Sequence, residues 1–238
     1  MSGSRDIAHG VVRVRERIES ACERVRRDPA GVRLIAVTKT HSVDAVESAY
    51  AAGVRDFGEN RMQEALPKIA EARARGIDAT WHLVGHLQTN KAAAAIEAFD
   101  IIHSIDSTRL AETVSRRAAR MMQVLVEVNV GGEASKAGAS IRDVAAFVRE
   151  VQALPNLDVA GLMTVAPRVE NPEQARPVFR LLREARDEFG LRELSMGMTD
   201  DFEVAIEEGS TLVRVGRAIF GSRPAWRAPA GEPGRGAS

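Results

Sequence analysis

The alternation of short apolar runs with longer amphipathic segments constrains the fold of this chain most strongly. Each run holds four to eight residues, and a segment with the apolar spacing of a helix follows it. Strands that alternate with helices predict parallel β–α–β units. The run "VLVEVNV" at 124–130 is almost continuously apolar, which is typical of strands covered on both faces.

The number of these units predicts how the sheet is arranged. Candidate strands are Arg33–Thr38, Val54–Gly58, Thr80–Val84, Ile101–Ile105, Gln123–Val130, Val159–Met163, Glu193–Met196 and Leu212–Val215. Candidate helices between them are Val43–Ala52, Arg61–Arg75, Asn90–Ala98, Thr108–Ala119, Ile141–Ala153, Pro172–Phe189 and Asp201–Glu208, with an additional N-terminal helix at Ile7–Arg27. Eight units in 238 residues predict an α/β fold, a single (β/α)8 barrel of the TIM type. An open doubly wound sheet is the alternative, and the lack of a G-x-G-x-x-G loop after the first strand weakens it.

The chain is expected to form one domain, residues 1–223, followed by a tail. Hydrophobic residues make up 45% of the sequence, which is enough for a sizeable core. Residues 224–238, "PAWRAPAGEPGRGAS", are rich in Pro, Gly and Ala, and this composition predicts disorder.

Charge and cysteine content narrow the class of protein. The 33 basic residues balance 33 acidic ones, which gives no reason to expect a nucleic-acid or membrane partner. The single cysteine, Cys22, has no internal disulfide partner and no metal-ligand spacing around it. We find no apolar signal core and no run near the ~18 apolar residues of a membrane span, so we expect a cytoplasmic protein. A monomer is expected because no long apolar stripe remains once the barrel is built.

The stretch "LIAVTK" at 34–39 ends a buried-looking strand in a lysine. Side chains alternate along a strand, so Ile35, Val37 and Lys39 share one face. If that face points inward, Lys39 stands at the carboxyl-end mouth of the barrel, where such enzymes carry their chemistry. Desolvation there favours a neutral amine, which can form a Schiff base with an aldehyde. The alternative is a lysine that faces water.

The last two strand ends predict a phosphate site. Barrels often bind phosphate with the loops after strands seven and eight, and "GMTDD" and "VGRAIFG" occupy those places. Gly197 and Gly216 would let the backbone approach an anion, and Thr199 supplies a hydroxyl. Backbone N–H groups of Gly216 and Arg217 would open a short helix toward the phosphate. The alternative is that these glycines only make tight turns.

Two adjacent aspartates in the same loop oppose an anion. Their repulsion of an anion is tolerable if the side chains of Asp200 and Asp201 both turn to solvent. Asp200 and Glu203 also have the spacing of a capping box at the start of the following helix. A lysine beside a phosphate site indicates a phosphorylated aldehyde, either pyridoxal phosphate or a sugar phosphate.

Seven motifs occur in order along residues 5–223 and carry a family resemblance. They are "AVTKTH", "FGENRMQEALPKI", "WHLVGHLQTNK", "IHSIDS", "EVNVGGEASKAG", "GLMTVAP" and "LSMGMTDDFEVAIEEGSTLVRVGRAIFG". Together they resemble the pyridoxal phosphate homeostasis protein family, which is similar in fold to the N-terminal barrel of bacterial alanine racemase. Their joint order makes the resemblance specific, although each motif alone would be weak.

The resemblance implies roles for individual residues. Lys39 matches the lysine that holds pyridoxal 5'-phosphate as an internal aldimine, and Arg214 matches the arginine that faces the pyridine nitrogen. Gly216 and Arg217 match positions whose backbone N–H groups hold the phosphate. Thr199 matches a hydroxyl residue on the phosphate.

Three further positions match the family with less defined roles, and one position departs from it. Asn60 and Ser195 match pocket-lining positions, and Lys136 matches a lysine of a mobile loop. The residue after Gly216 is commonly threonine in the family, whereas this chain has Arg217. Its guanidinium would pair with the phosphate or point to solvent.

The resemblance implies cofactor binding without catalysis. An arginine donates to the pyridine nitrogen and keeps it unprotonated, which makes the ring a poorer electron sink. Racemisation also needs acid–base groups on both faces of the substrate carbon, and the only tyrosine, Tyr50, is predicted to lie away from the mouth. We therefore expect a protein that buffers pyridoxal 5'-phosphate and supplies it to apo-enzymes. An amino-acid racemase and a Schiff-base aldolase on a sugar phosphate are the alternatives.

Overall fold

The computed structural model describes residues 2–132 and 137–221. The strands are β1 Arg33–Val37, β2 Asp56–Glu59, β3 Thr80–Leu83, β4 Ile101–Ile105, β5 Met122–Asn129, β6 Ala139–Ser140, β7 Leu157–Met163, β8 Glu193–Met198 and β9 Leu212–Val215. The α-helices are α1 Ser2–Arg24, α2 Val43–Ala51, α3 Met62–Ala74, α4 Ala92–Ala98, α5 Thr108–Arg117, α6 Val144–Gln152, α7 Arg176–Glu188, α8 Phe202–Glu207 and α9 Arg217–Phe220. Short 3-10 helices occur at Pro29–Gly31, Thr89–Lys91 and Pro172–Ala175.

Eight parallel strands form a closed barrel in the described part of the chain. The order is β4-β3-β2-β1-β9-β8-β7-β5, and the pairing of β4 with β5 closes the ring. The predicted (β/α)8 barrel with an extra N-terminal helix is confirmed. The alternative of an open sheet is wrong because an open sheet would leave β4 and β5 as unpaired edges.

Several predicted boundaries move by a few residues. The two-residue β6 pairs with the end of β5 and was not predicted, because two residues give no periodicity. The helix predicted from Ile141 begins at Val144 instead, since the residues before it form that pairing and a turn. The helices predicted from Asn90 and Pro172 begin as 3-10 turns.

The core has two layers, inside and outside the barrel wall. Inside, a small cluster of buried apolar residues fills the bore. It consists of Ile35, Ile101, Leu125, Met163 and Leu212. Outside, a much larger cluster lies between the strands and the surrounding helices. The apolar inner cluster is small because polar side chains from several strands share the bore.

Helix α1 packs against the short helix α9 at Gly10. A Cβ placed on Gly10 would lie 2.7 Å from the carbonyl oxygen of Ile219 and 3.0 Å from its Cα. Only glycine allows the two backbones to approach this closely. The additional N-terminal helix therefore sets the position of α9.

The length and polarity of the helices decide whether one of them could cross a membrane. None of the helices in residues 2–132 and 137–221 is both long and apolar enough to cross a bilayer.

Candidate functional site

The carboxyl end of β1 places Lys39 at the mouth of the barrel. Ile35 belongs to the inner cluster, and a Cβ on Gly58 would lie 3.3 Å from Cγ2 of Val37. Ile35 and Val37 therefore share the interior face, as strand alternation predicts. Lys39 follows two residues later and is partly buried.

The residue after Lys39 has an uncommon backbone conformation. Thr40 has a φ of 67°, in the left-handed region that β-branched residues rarely adopt. Its N–H donates to the Glu64 carboxylate at 3.3 Å. Strain of this kind clusters at functional sites, where the surrounding structure maintains it. The turn after β1 is thus held in one specific geometry.

The turn after β1 contacts the segment predicted to hold phosphate. A Cβ on Gly216 would lie 3.1 Å from the Val37 carbonyl oxygen. The rings of His41 and Phe220 are 4.9 Å apart between centroids. Gly216 is the N-cap of α9, so this helix begins beside the lysine-bearing turn. The first and last strands therefore bring Lys39, Gly216 and Arg217 to one side of the mouth.

Arg214 is buried in the wall of the barrel, next to Ser195. Its Nη1 donates to the Ser195 carbonyl oxygen at 2.8 Å and to Ser195 Oγ at 2.6 Å. Its Nη2 donates to the Thr164 carbonyl oxygen at 2.7 Å. Thr164 follows β7 directly, so these bonds hold the guanidinium at the carboxyl ends of β7 and β8. Ser195 is completely buried and contacts Arg214 rather than the open mouth.

Burial makes the charge of Arg214 less stable than in water. It lowers the pKa of Arg214 to about 10, although the nearby carboxylates of Asp201 and Glu127 oppose the decrease. The guanidinium remains protonated at neutral pH with that pKa. Burial also raises the pKa of Glu127, where Asp106 adds to the rise and Arg214 opposes it.

The loop after β8 places Thr199 in a closed turn. Met198 N donates to Asp201 Oδ1 at 2.6 Å, and Asp201 N donates back to the Met198 carbonyl oxygen at 3.1 Å. Asp201, not Asp200, precedes α8, and Glu203 pairs with Arg17, so the predicted capping box is wrong. Asp200 turns to solvent, but Asp201 is buried, so the condition that both side chains be solvated is met by Asp200 alone. The Asp201 carboxylate is used to close the turn.

Arg217 joins the two predicted phosphate loops to each other. Its guanidinium pairs with both carboxylate oxygens of Asp200, and both side chains are largely exposed. The prediction offered the phosphate or solvent as the surroundings of Arg217, and the structure shows a carboxylate. The pair leaves the backbone N–H of Arg217 in the first turn of α9, where a helix has no internal acceptor.

Asn60 lies at the end of β2 with an unsatisfied polar atom. Its Oδ1 is buried and accepts no hydrogen bond from the described residues. A Cβ on Gly85 would lie 2.2 Å from the Asn60 carbonyl oxygen, so the loops after β2 and β3 are in backbone contact. A buried acceptor without a donor is uncommon and requires an explanation. Lys136, the remaining residue of the resemblance, lies outside the described residues.

A buried ion pair lies behind the lysine-bearing turn and was missed from the sequence. Lys68 Nζ donates to Glu59 Oε1 at 2.6 Å and to the Thr38 carbonyl oxygen at 2.7 Å. Thr38 Oγ1 donates to the same Glu59 oxygen at 2.6 Å. Lys68 therefore fixes the peptide unit that joins Thr38 to Lys39. The apolar spacing of α3 gave no sign that Lys68 points inward.

Comparisons with known proteins agree with the geometry. Residues 12–224 match the family model described as "Alanine racemase, N-terminal domain". A pyridoxal phosphate homeostasis protein of Aquifex aeolicus is 44% identical over 220 residues, which cover 89% of this chain and 96% of that protein.

Two solved structures are also similar. One is an unknown protein from Bifidobacterium adolescentis, with a TM-score of 0.86, 39% identity, and 92% and 96% of the two chains covered. The other is PipY of Synechococcus elongatus with PLP bound, with a TM-score of 0.78, 38% identity, and 90% and 99% covered. By sequence and by fold, the chain belongs to the pyridoxal phosphate homeostasis protein family, whose barrel is that of the alanine racemase N-terminal domain.

Proposed function

We propose that this protein binds pyridoxal 5'-phosphate as a Schiff base on Lys39 and acts in intracellular vitamin B6 homeostasis without catalysing a reaction. The observation that carries the proposal is the pairing of β1 with β9, which brings the Lys39 turn against Gly216 at the start of α9. The lysine-bearing turn and the first N–H groups of α9 thus lie side by side, which suits a ligand that carries both an aldehyde and a phosphate. Membership in the family and the PLP-bound PipY structure support the same ligand.

The residues at the mouth fit this cofactor. Asn60 Oδ1 is a buried acceptor without a donor among the described residues, so it is suited to accept a hydrogen bond from a bound ligand. The glycine at position 216 keeps the start of α9 open, since a side chain there would press on Val37. The first-turn N–H groups of α9 and the hydroxyl of Thr199 are donors suited to phosphate oxygens. Gly216, Arg217 and Thr199 are therefore proposed as the phosphate-binding residues.

Each residue has a distinct task in this proposal. Pyridoxal phosphate supplies the aldehyde, and its pyridine ring withdraws electrons when the cofactor is bound. Lys39 presents the amine, Asn60 contributes a buried acceptor beside the mouth, and Ser195 supports Arg214 from behind by accepting its hydrogen bonds. Arg214 only donates hydrogen bonds, so it keeps the facing pyridine nitrogen unprotonated. This favours holding the cofactor over carbanion chemistry.

The position of Tyr50 supports a protein that is not a racemase. Tyr50 lies on α2, where its ring stacks under the Arg55 guanidinium at 4.0 Å. Tyr50 therefore lies in the outer layer of helices and provides no second acid–base group at the mouth. We propose that the protein works in the cytoplasm, buffers the free aldehyde and supplies it to apo-enzymes.

The absorption spectrum of the purified protein after incubation with pyridoxal phosphate tests the proposal. Borohydride reduction followed by peptide mass mapping is expected to place a pyridoxyl phosphate group on the Lys39 peptide. The Lys39→Ala variant is expected to lose the adduct. The matched control, Lys91→Ala, removes another lysine from the 3-10 turn that follows β3, and it is expected to keep the adduct. A wild-type protein with no adduct, or an adduct that survives in Lys39→Ala, would contradict the proposal.

Two further assays separate the proposal from its alternatives. Amino acids incubated with the loaded protein in deuterated water are expected to keep their α-hydrogen, whereas a racemase would exchange it. Borohydride trapping that required a sugar phosphate instead of pyridoxal phosphate would favour an aldolase. Transfer to an apo-enzyme is expected to exceed the rate of release into buffer, and equal rates would refute the supply role.

A further inference from the structure

A chain of hydrogen bonds runs through the interior of the barrel below Arg214. Ser195 Oγ is 2.9 Å from His103 Nδ1, and His103 Nε2 is 2.9 Å from His82 Nδ1. His82 Nε2 is 2.9 Å from Asp56 Oδ1. We call Asp56, His82, His103 and Ser195 the interior array. Both imidazoles and the serine are completely buried, and the Asp56 side chain is 17% exposed at the opposite end of the barrel.

Arg214 determines the direction of every hydrogen bond in the interior array. A guanidinium only donates, so Ser195 Oγ must accept from it. The Ser195 O–H still needs an acceptor, and His103 Nδ1 is the acceptor that the described hydrogen bonds give it, so this nitrogen is unprotonated. His103 carries its proton on Nε2 and donates to His82 Nδ1. His82 in turn carries its proton on Nε2 and donates to the Asp56 carboxylate.

The opposite direction would leave two polar groups in conflict. If His103 Nδ1 donated to Ser195 Oγ, the serine hydroxyl proton would have no acceptor among the hydrogen bonds that the structure describes. With both rings neutral, the unprotonated Nε2 of His82 would then face a carboxylate oxygen at 2.9 Å, with lone pairs on both atoms. The Arg33 guanidinium, 4.0 Å from the same oxygen, favours the ionised carboxylate. An unsatisfied buried group is costly, so the first direction is strongly favoured.

We propose that the interior array positions Arg214 for the bound cofactor and holds both histidines neutral with their protons on Nε2. The proposal rests on the proposed function for the identity of the ligand, and it assigns positioning roles to His82, His103 and Ser195. Arg214 itself is the only member of the chain that is proposed to touch the cofactor. Ser195 therefore acts through Arg214.

The alignment of the array has a physical consequence for the buried cation. In each hydrogen bond the donated hydrogen points along the array toward Asp56, so all the bond dipoles run in the same direction. A hydroxyl that donates becomes a better acceptor, so Ser195 Oγ binds Arg214 more strongly while His103 accepts its proton. A negative charge terminates the array at one end and a positive charge at the other. The array thus offsets part of the cost of burying Arg214.

The first test uses the unloaded protein and needs no cofactor. In 15N-labelled protein near neutral pH, the imidazole spectra of His82 and His103 are expected to show protonated Nε2 and unprotonated Nδ1. A proton on Nδ1 of either ring, or a charged ring, would overturn the proposal. This measurement is made on the wild-type protein, so its result does not depend on whether any variant folds.

The second test follows the visible absorption of the bound cofactor and its release. Ser195→Ala removes one acceptor of Arg214 and the donor to His103, and we expect release about tenfold faster, with a shifted absorption maximum. Ser195→Thr keeps a hydroxyl and is expected to restore both properties. The matched control is Ser115→Ala. The Ser115 hydroxyl is also buried, but it lies on α5, outside the barrel wall, and donates to the Pro155 carbonyl oxygen. The Ser115→Ala variant is expected to release the cofactor within about twofold of the wild-type rate.

The outcomes separate this inference from the proposed function. If the wild-type protein takes up no pyridoxal phosphate, the proposed function fails, and the imidazole spectra still decide the array. If the wild-type protein binds the cofactor but Ser195→Ala behaves as Ser115→Ala does, the positioning role is refuted.

Discussion

At the scale of single residues, the buried pair of Glu59 and Lys68 shows how the lysine-bearing turn is supported. Thr38 and Lys68 both donate to one oxygen of Glu59, and the second oxygen has no partner among the described residues. Such a pair contributes little net stability compared with apolar residues, but removing one partner exposes the full cost of the other buried charge. Its value here is the fixed position of the Thr38 carbonyl next to Lys39.

Lys68→Met is therefore expected to destabilise the protein by about 3 kcal/mol, because it leaves the Glu59 carboxylate buried without its cation. Urea unfolding followed by circular dichroism measures the change. Glu112→Ala, which breaks the exposed pair with Arg116, is the control and is expected to change stability by less than about 1 kcal/mol. The double variant Glu59→Leu/Lys68→Met is expected to be more stable than Lys68→Met alone. Equal stability of Lys68→Met and Glu112→Ala would contradict the burial of the pair.

His103 predicts how stability depends on pH. Burial lowers its pKa well below 6.5, and His82, Arg214 and Arg33 lower it further. The unfolded chain therefore binds a proton near pH 6.5 that the folded chain does not, so stability is lost as the pH falls below that value. One such group contributes a slope of up to ~1.4 kcal/mol per pH unit.

Free energies of unfolding measured from about pH 7.5 down to about pH 5 test this prediction. The wild-type protein is expected to lose stability through this range, and His103→Phe is expected to show a smaller slope. His9→Gln alters an exposed residue of α1 and serves as the control, with the wild-type slope. A His103→Phe slope equal to that of wild type would show that His103 does not contribute.

At the scale of elements, α1 supports the proposed phosphate segment from outside the barrel. Contact between α1 and α9 depends on Gly10, where an added Cβ would overlap the Ile219 carbonyl oxygen. Helix α9 has only four residues, too few to be stable without neighbours. The extra helix is thus part of the apparatus that holds the Gly216 N-cap in place.

Gly10→Ala is expected to destabilise the protein by about 1–3 kcal/mol and to speed the release of pyridoxal phosphate, because α9 must move to admit the methyl group. Thermal unfolding and the decay of visible absorption measure the two effects. Gly31→Ala is the matched control, since an added Cβ there meets nothing within 4 Å, and it is expected to leave both quantities near wild type. A Gly10→Ala protein that is destabilised but releases the cofactor at the wild-type rate would separate α1 from the binding site.

The elements were largely predictable from the sequence because their signals are local. Short β-branched or apolar segments identified all eight barrel strands, and helical spacing identified most of the helices. What could not be predicted depends on contacts between distant residues. Asp201 occupies the N-cap position of α8 and its carboxylate closes the preceding turn by accepting from Met198 N, a role that spacing alone cannot distinguish from one for Asp200. The partner of Arg217 likewise depends on how the loops after β8 and β9 meet.

At the scale of the whole molecule, the parallel barrel explains why site residues far apart in sequence were predicted together. The carboxyl ends of all strands meet at one mouth, so Lys39, Asn60 and Arg217 could be grouped from topology. The side-chain network behind them could not, because burial of Lys68 and the linkage of His82 with His103 require the three-dimensional register. The connection of the two histidines to Arg214 likewise has no local signal in the sequence.

The sequence also predicts a monomer, which a measurement of mass can test. Sedimentation equilibrium over a wide concentration range is expected to return the chain mass of 25.8 kDa throughout. The physical reason is that the apolar faces of the described helices are covered by the large outer cluster. A mass that rises toward twice this value with concentration would contradict the prediction.

The neighbouring positions of β1 and β9 have a consequence for synthesis of the protein on the ribosome. The Lys39 segment emerges early, whereas Arg214 and Gly216 are among the last residues translated before the end of the barrel. A nascent chain therefore displays Lys39 long before the proposed phosphate-binding segment and Arg214 have been synthesised. If the cofactor is held as proposed, its stable capture must wait until β9 and α9 have left the exit tunnel, so a bound cofactor marks chains whose barrel is closed.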